Sequence, residues 1–154
     1  MEYLVVKWLH VLSSTFLFGT GVGSAFYMFF TSRTRDPHAV ATVAKYVVIA
    51  DWVFTTPTVI FQPLSGFYLL HLGGMPLAMP WILWSIALYL LAGACWLPVV
   101  WMQIRMREMA REAAQAGCEL PPRYWRYLRI WTALGVVAFG SLVVVFYLMV
   151  AKPM

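Results

Sequence analysis

Lys7 and His10 lie three residues apart in an otherwise apolar stretch, so on a helix they share one face. An imidazole in such a place suits a heme or metal ion as a ligand, and an ammonium one turn away attracts an anion such as a porphyrin propionate. The same pair has a purely structural reading, in which Lys7 snorkels to lipid headgroups and His10 bonds a neighbouring helix. Following the His10 face by four- and three-residue steps gives Ser14, Gly21 and Ser24, a small polar stripe that must point at protein rather than lipid.

A second polar face runs through Asp51, Thr55, Thr58, Gln62 and Ser65. Pro57 and Pro63 free backbone carbonyls in the same stretch, and broken helices are tolerated in a membrane only inside protein or along a wet cavity. The face therefore reads as a proton, quinone or cofactor site, or else Asp51 pairs with Lys45 or with an arginine at the cytoplasmic edge. Gln62 should approach the depth of His10. His71 is a conceivable ligand opposite His10, but His10 lies ~10 Å below the outer boundary at 1.5 Å per residue. His71 falls close to that boundary, so an interfacial place suits it better.

The remaining signals are structural. Gly19, Gly21 and Gly23 follow no strand, so they mark close helix contact rather than a nucleotide loop. His38 belongs to a polar turn, Cys95 reads as a small buried apolar residue, and Cys118 has no CxxC partner. The sequence holds no zinc motif, catalytic triad, phosphate loop or pair of catalytic carboxylates.

The elements that must position these residues follow from composition. Of 154 residues, 62% are apolar and 11% charged, too little polar surface to coat a soluble domain. A formal charge of +5 does not indicate nucleic acid, because the arginines cluster between long apolar runs. Spans are expected at about residues 3–30, 39–72, 80–103 and 130–151, in one transmembrane domain over 1–154. The first is too long for a signal peptide and should be retained. The second is overlong and implies tilt or kinks. The third bends at Pro98 and continues into a helical extension ending at Gly117, within a basic connection over 104–129. Arg33 and Arg35 occupy the first connection and six arginines the third, while the second has none. The positive-inside rule then puts both termini on the outer, periplasmic side of an all-α four-helix bundle.

Several long stretches resemble a bacterial integral-membrane family catalogued as domain of unknown function twenty-two sixty-nine. They are KWLH (7–10), FGTGVGSAFYM (18–28), ADWVFTTPTVIFQPLSG (50–66), LYLLAGACWLPVVWMQIRMR (88–107) and LPPRYWRYLRIW (120–131). More distantly, the Lys-x-x-His of the first span resembles HemJ-type membrane protoporphyrinogen oxidases, and the helix layout is similar to CopD-like domains. The HemJ resemblance implies heme b on His10, with Lys7 as its companion. Where that family follows its histidine with Gly-Leu-x-Tyr-Leu-Pro-Arg, this chain reads Phe18-Gly19-Thr20-Gly21, which separates it from the porphyrinogen substrate.

The resulting expectation is a heme b-binding, multi-pass protein of the bacterial inner membrane with a redox or electron-transfer role, an oxidoreductase if an enzyme. His10 is its axial ligand, Lys7 and Gln62 contribute to the cofactor site, and Asp51 and His71 are further candidates. The partners expected are the lipid bilayer, a quinone, porphyrin or redox protein, and further copies of the chain. The competing readings are a cofactor-free permease or ion-handling protein using Asp51 and Gln62, and an accessory subunit whose basic connection docks a partner or anionic lipid.

Overall fold

The structure is a computed structural model and describes residues 1–153. Helix α1 spans Glu2–Arg33, α2 Pro37–Ala50, α3 Thr56–Leu72, α4 Pro80–Ala116 and α5 Pro122–Ala151. A five-residue π-helical turn, Asp51–Thr55, joins α2 to α3 without interrupting the rod. Pro37–Leu72 thus forms one of four helical segments long and apolar enough to cross a membrane.

The helix ends follow from local chemistry. Prolines 37, 80 and 122 each open a helix, where the missing N–H would have had no intrahelical partner. Asp36 caps α2 by accepting the His38 N–H at 2.9 Å. Gly117 ends α4 in the left-handed conformation, φ +64°, and the Cys118 N–H closes on the Ala113 carbonyl at 3.1 Å.

The connection expected over 104–129 is mostly helix. α4 continues thirteen residues past Gln103, α5 begins at Pro122, and only residues 117–121 join them. The cause is an amphipathic pattern beyond the third span: Met106, Ala110 and Ala113 face inward and are almost wholly enclosed. They form the most fully enclosed part of the core with Met28, Val40, Ala44 and Tyr124. Tyr124 also donates its hydroxyl to Ser32 Oγ at 2.6 Å, because the Ser32 hydrogen is committed to the Met28 carbonyl at 2.7 Å.

The overlong second span uses its length by changing partners. Below the π turn α2 packs on α4 and α1; above it α3 packs on α1. Pro57 explains the switch, since it cannot donate to Val53 and its ring crowds that carbonyl. The wider turn relieves this, with the Thr56 N–H reaching back to Asp51, five residues away. α3 is pinned by the Tyr68 hydroxyl donating to Glu2, and the π turn by Phe16 stacked on Phe54, centroids 6.0 Å apart. The helices leave large apolar side chains such as Leu4, Leu64, Leu90 and Val136 on the outside, as a lipid-facing surface requires.

Candidate functional site

The polar residues singled out on the two inner faces separate into two clusters. In the first, His10 Nδ1 lies 2.7 Å from Ser65 Oγ across the α1–α3 contact. Ser65 donates its single hydrogen within its own helix, to the Phe61 carbonyl at 2.7 Å and more weakly to Gln62 at 3.2 Å. With that hydrogen on its own helix, Ser65 accepts from His10, the arrangement in which the imidazole proton sits on Nδ1 and the Nε2 lone pair is left for a ligand. Gln62 Nε2 donates to the His10 backbone carbonyl at 2.8 Å, so α3 holds both the backbone and the ring of His10. Gln62 and Ser65 are buried, whereas His10 itself is half-buried. Gly66 lies against the ring: a Cβ there would sit 3.4 Å from His10 Cε1.

Lys7 is exposed one turn nearer the N-terminus, with Nζ 6.0 Å from the Tyr3 ring centroid. His71 is exposed at the end of α3, six residues past Ser65 and therefore ~9 Å further along the axis, away from the His10 ring. The stripe beyond His10 is closed by aromatic packing. A Cβ on Gly21 would lie 2.7 Å from the Phe139 ring, whose edge meets Phe18 at 5.8 Å between centroids. Ser14 and Ser24 bond their own helix, at the Val11 and Gly21 carbonyls.

The second cluster lies around the π turn. Asp51 is 5% exposed and accepts the Thr55 hydroxyl on Oδ1 at 2.9 Å. The expected pairing with Lys45 or an arginine does not form. Lys45 is exposed over the Tyr46 ring, and among the described residues the salt bridge is Arg105–Glu108, at 3.0 Å. Instead Gln103 of α4 faces the carboxyl. A cavity of about 190 Å³ opens here between α1, the π turn, α4 and α5. Thr58 bonds the Phe54 and Thr55 carbonyls and contributes to neither cluster.

Three participants were not singled out by the sequence. Pro63 strips the Val59 carbonyl of its helical donor, and the Tyr89 hydroxyl of α4 supplies one at 2.7 Å. Gln103 reads in sequence as the end of the third span, and Trp131 as the start of the fourth; both line the cavity. The signal that could have found Gln103 is its step from Ala92, Trp96 and Val99, a repeat of three and four along one face of α4.

Four apolar helices that bury polar clusters between them define a multi-pass helical membrane protein. The chain belongs to the family described as predicted integral membrane protein (DUF2269), whose model matches residues 4–153. No curated protein and no solved structure matches it.

Proposed function

We propose that this protein binds heme b in the bacterial inner membrane, with His10 as axial ligand, and serves a redox or electron-transfer role. The observation that carries the reading is the 2.7 Å contact between His10 Nδ1 and Ser65 Oγ: with Nδ1 engaged there, Nε2 is the nitrogen available to bind iron. Among the described residues no three His, Cys, Asp or Glu side chains converge, so His10 suits a metal that arrives with its own equatorial donors. Phe139 fills the stripe at Gly21, so the fit rests on the imidazole and the half-exposed surface around it. Lys7, about 5 Å outward along the helix, is placed to hold a propionate, and Gln62 fixes the His10 backbone. Bound heme would supply one-electron transfer; the protein's part is to orient the ligand and hold the anionic edge.

Hemin titration of the detergent-solubilised apoprotein tests this. Wild type should saturate near one hemin per chain. Lys7→Ala should keep that stoichiometry with affinity lower by about three- to tenfold, the scale of one partly hydrated charge-assisted contact. Titration without saturation would refute the proposal.

The orientation belongs to the same reading, with both termini periplasmic. Cys118 is exposed on the α4–α5 connection and Ala78 is exposed in the loop before α4. On intact spheroplasts an impermeant maleimide should label Ala78→Cys in a Cys118→Ser background, and should reach wild-type Cys118 only after permeabilisation. The reverse pattern would invert the arginine-based topology.

A further inference from the structure

The cavity between α1, the π turn, α4 and α5 gathers polar atoms that the protein leaves unpaired. Asp51 Oδ2, Gln103 Oε1 and Trp131 Nε1 are all without a hydrogen-bond partner, and all three residues line it. Each is at least nine-tenths enclosed, with exposures of 5%, 4% and 5%. An unpaired buried polar group costs about 1–3 kcal/mol, so three beside one cavity favour an occupant that can pair with them. The space is built into the chain: Gly93 and Gly135 form part of the wall, and a Cβ on either would meet nothing within 4 Å.

The lining selects the occupant. Among the described residues that line the cavity, none has a basic side chain, and Asp51 alone has an acidic carboxyl. Its free oxygen and the Gln103 carbonyl are both acceptors, so the complementary group is a donor bearing positive charge. The remaining walls are largely apolar and include the rings of Phe29, Trp96 and Trp131, whose faces attract cations and whose surfaces suit a flat apolar body. We infer that this cavity binds a small lipophilic cation, a protonated amine on an aromatic or aliphatic body, with the nitrogen between Asp51 and Gln103. The Trp131 N–H remains for an acceptor on the ligand or for a water beside it. The inference stands apart from heme on His10, since neither His10 nor Ser65 lines this cavity.

The test uses full-length protein in nanodiscs and equilibrium dialysis at pH 7, with 2-phenylethylammonium as probe and the uncharged 2-phenylethanol as its shape-matched control. Wild type should bind the ammonium saturably and the alcohol at least tenfold more weakly. Asp51→Asn should weaken ammonium binding at least tenfold while leaving the alcohol unchanged. Gly135→Leu, which fills the cavity without touching the carboxyl, should abolish ammonium binding; its folding is checked by gel filtration and circular dichroism. If Asp51→Asn does not fold, the amine–alcohol comparison and Gly135→Leu decide the matter alone. Absence of saturable ammonium binding, equal binding of amine and alcohol, or undiminished binding in folded Gly135→Leu would each overturn the assignment.

Discussion

His10→Ala should remove bound heme while the protein stays inserted and folded. Among the described residues the imidazole bonds Ser65 alone, and Ser65 keeps its own bond to the Phe61 carbonyl when the ring is gone. Gln62 bonds the backbone of residue 10, not the side chain, so that tie between α1 and α3 survives. The structural loss is one net hydrogen bond, about 1 kcal/mol. The functional loss is the iron–nitrogen bond itself. Ser65→Ala provides the graded comparison. It leaves the ligand in place but releases Nδ1, and loss of such an orienting partner lowers metal affinity by about 10–100-fold. Heme content after affinity purification, measured as the pyridine hemochrome, should fall to background in His10→Ala and partially in Ser65→Ala. Equal heme in all three proteins would remove His10 from the site.

The largest effect on stability should come from Met106→Ala. This side chain has no exposed surface and lies where α2, α4 and α5 meet, within the cluster that includes Tyr124 and Val40. Truncating a buried methionine costs about 2–5 kcal/mol through lost contacts and the cavity left behind. Leu97→Ala is the contrast, because Leu97 is 67% exposed on the same helix and its face meets lipid or detergent. Lipid tails are as apolar as leucine, so that change should shift stability by less than about 0.5 kcal/mol. Thermal unfolding in one detergent, followed by circular dichroism, should show a clear drop in Tm for Met106→Ala and almost none for Leu97→Ala. Equal drops would mean that the cluster around Met106 and Tyr124 is not the bundle's stabilising core.

The four spans were legible in the sequence because bilayer thickness imposes a minimum apolar length, and Pro37, Pro80, Gly117 and Pro122 mark helix ends by rules that act within a few residues. The C-terminal helical extension of α4 was also legible, from the run ending at Gly117, although the early start of α5 was not. Arg123, Arg126 and Arg129 read as a connection, yet Tyr124 and Leu128 between them face the core and carry the helix outward. The polar face from Asp51 to Ser65 was visible as a periodic pattern. Its division was not, because a π turn resets the phase of the helix and no propensity in Asp-Trp-Val-Phe-Thr announces one. That reset sends Asp51 toward α4 and α5 while Gln62 and Ser65 meet α1. Contacts such as His10 to Ser65, 55 residues apart, depend on helix rotation and register, which hydropathy does not encode. Gln103 and Trp131 stayed hidden for the same reason, each ordinary on its own helix and distinctive only beside the other.

The visible absorption spectrum of wild-type protein, purified in mild detergent from heme-replete cells, decides whether His10 holds an iron porphyrin. A Soret band with α and β bands that sharpen on dithionite reduction, at about one heme per chain, is the expected result. A colourless preparation of correctly folded protein would contradict it.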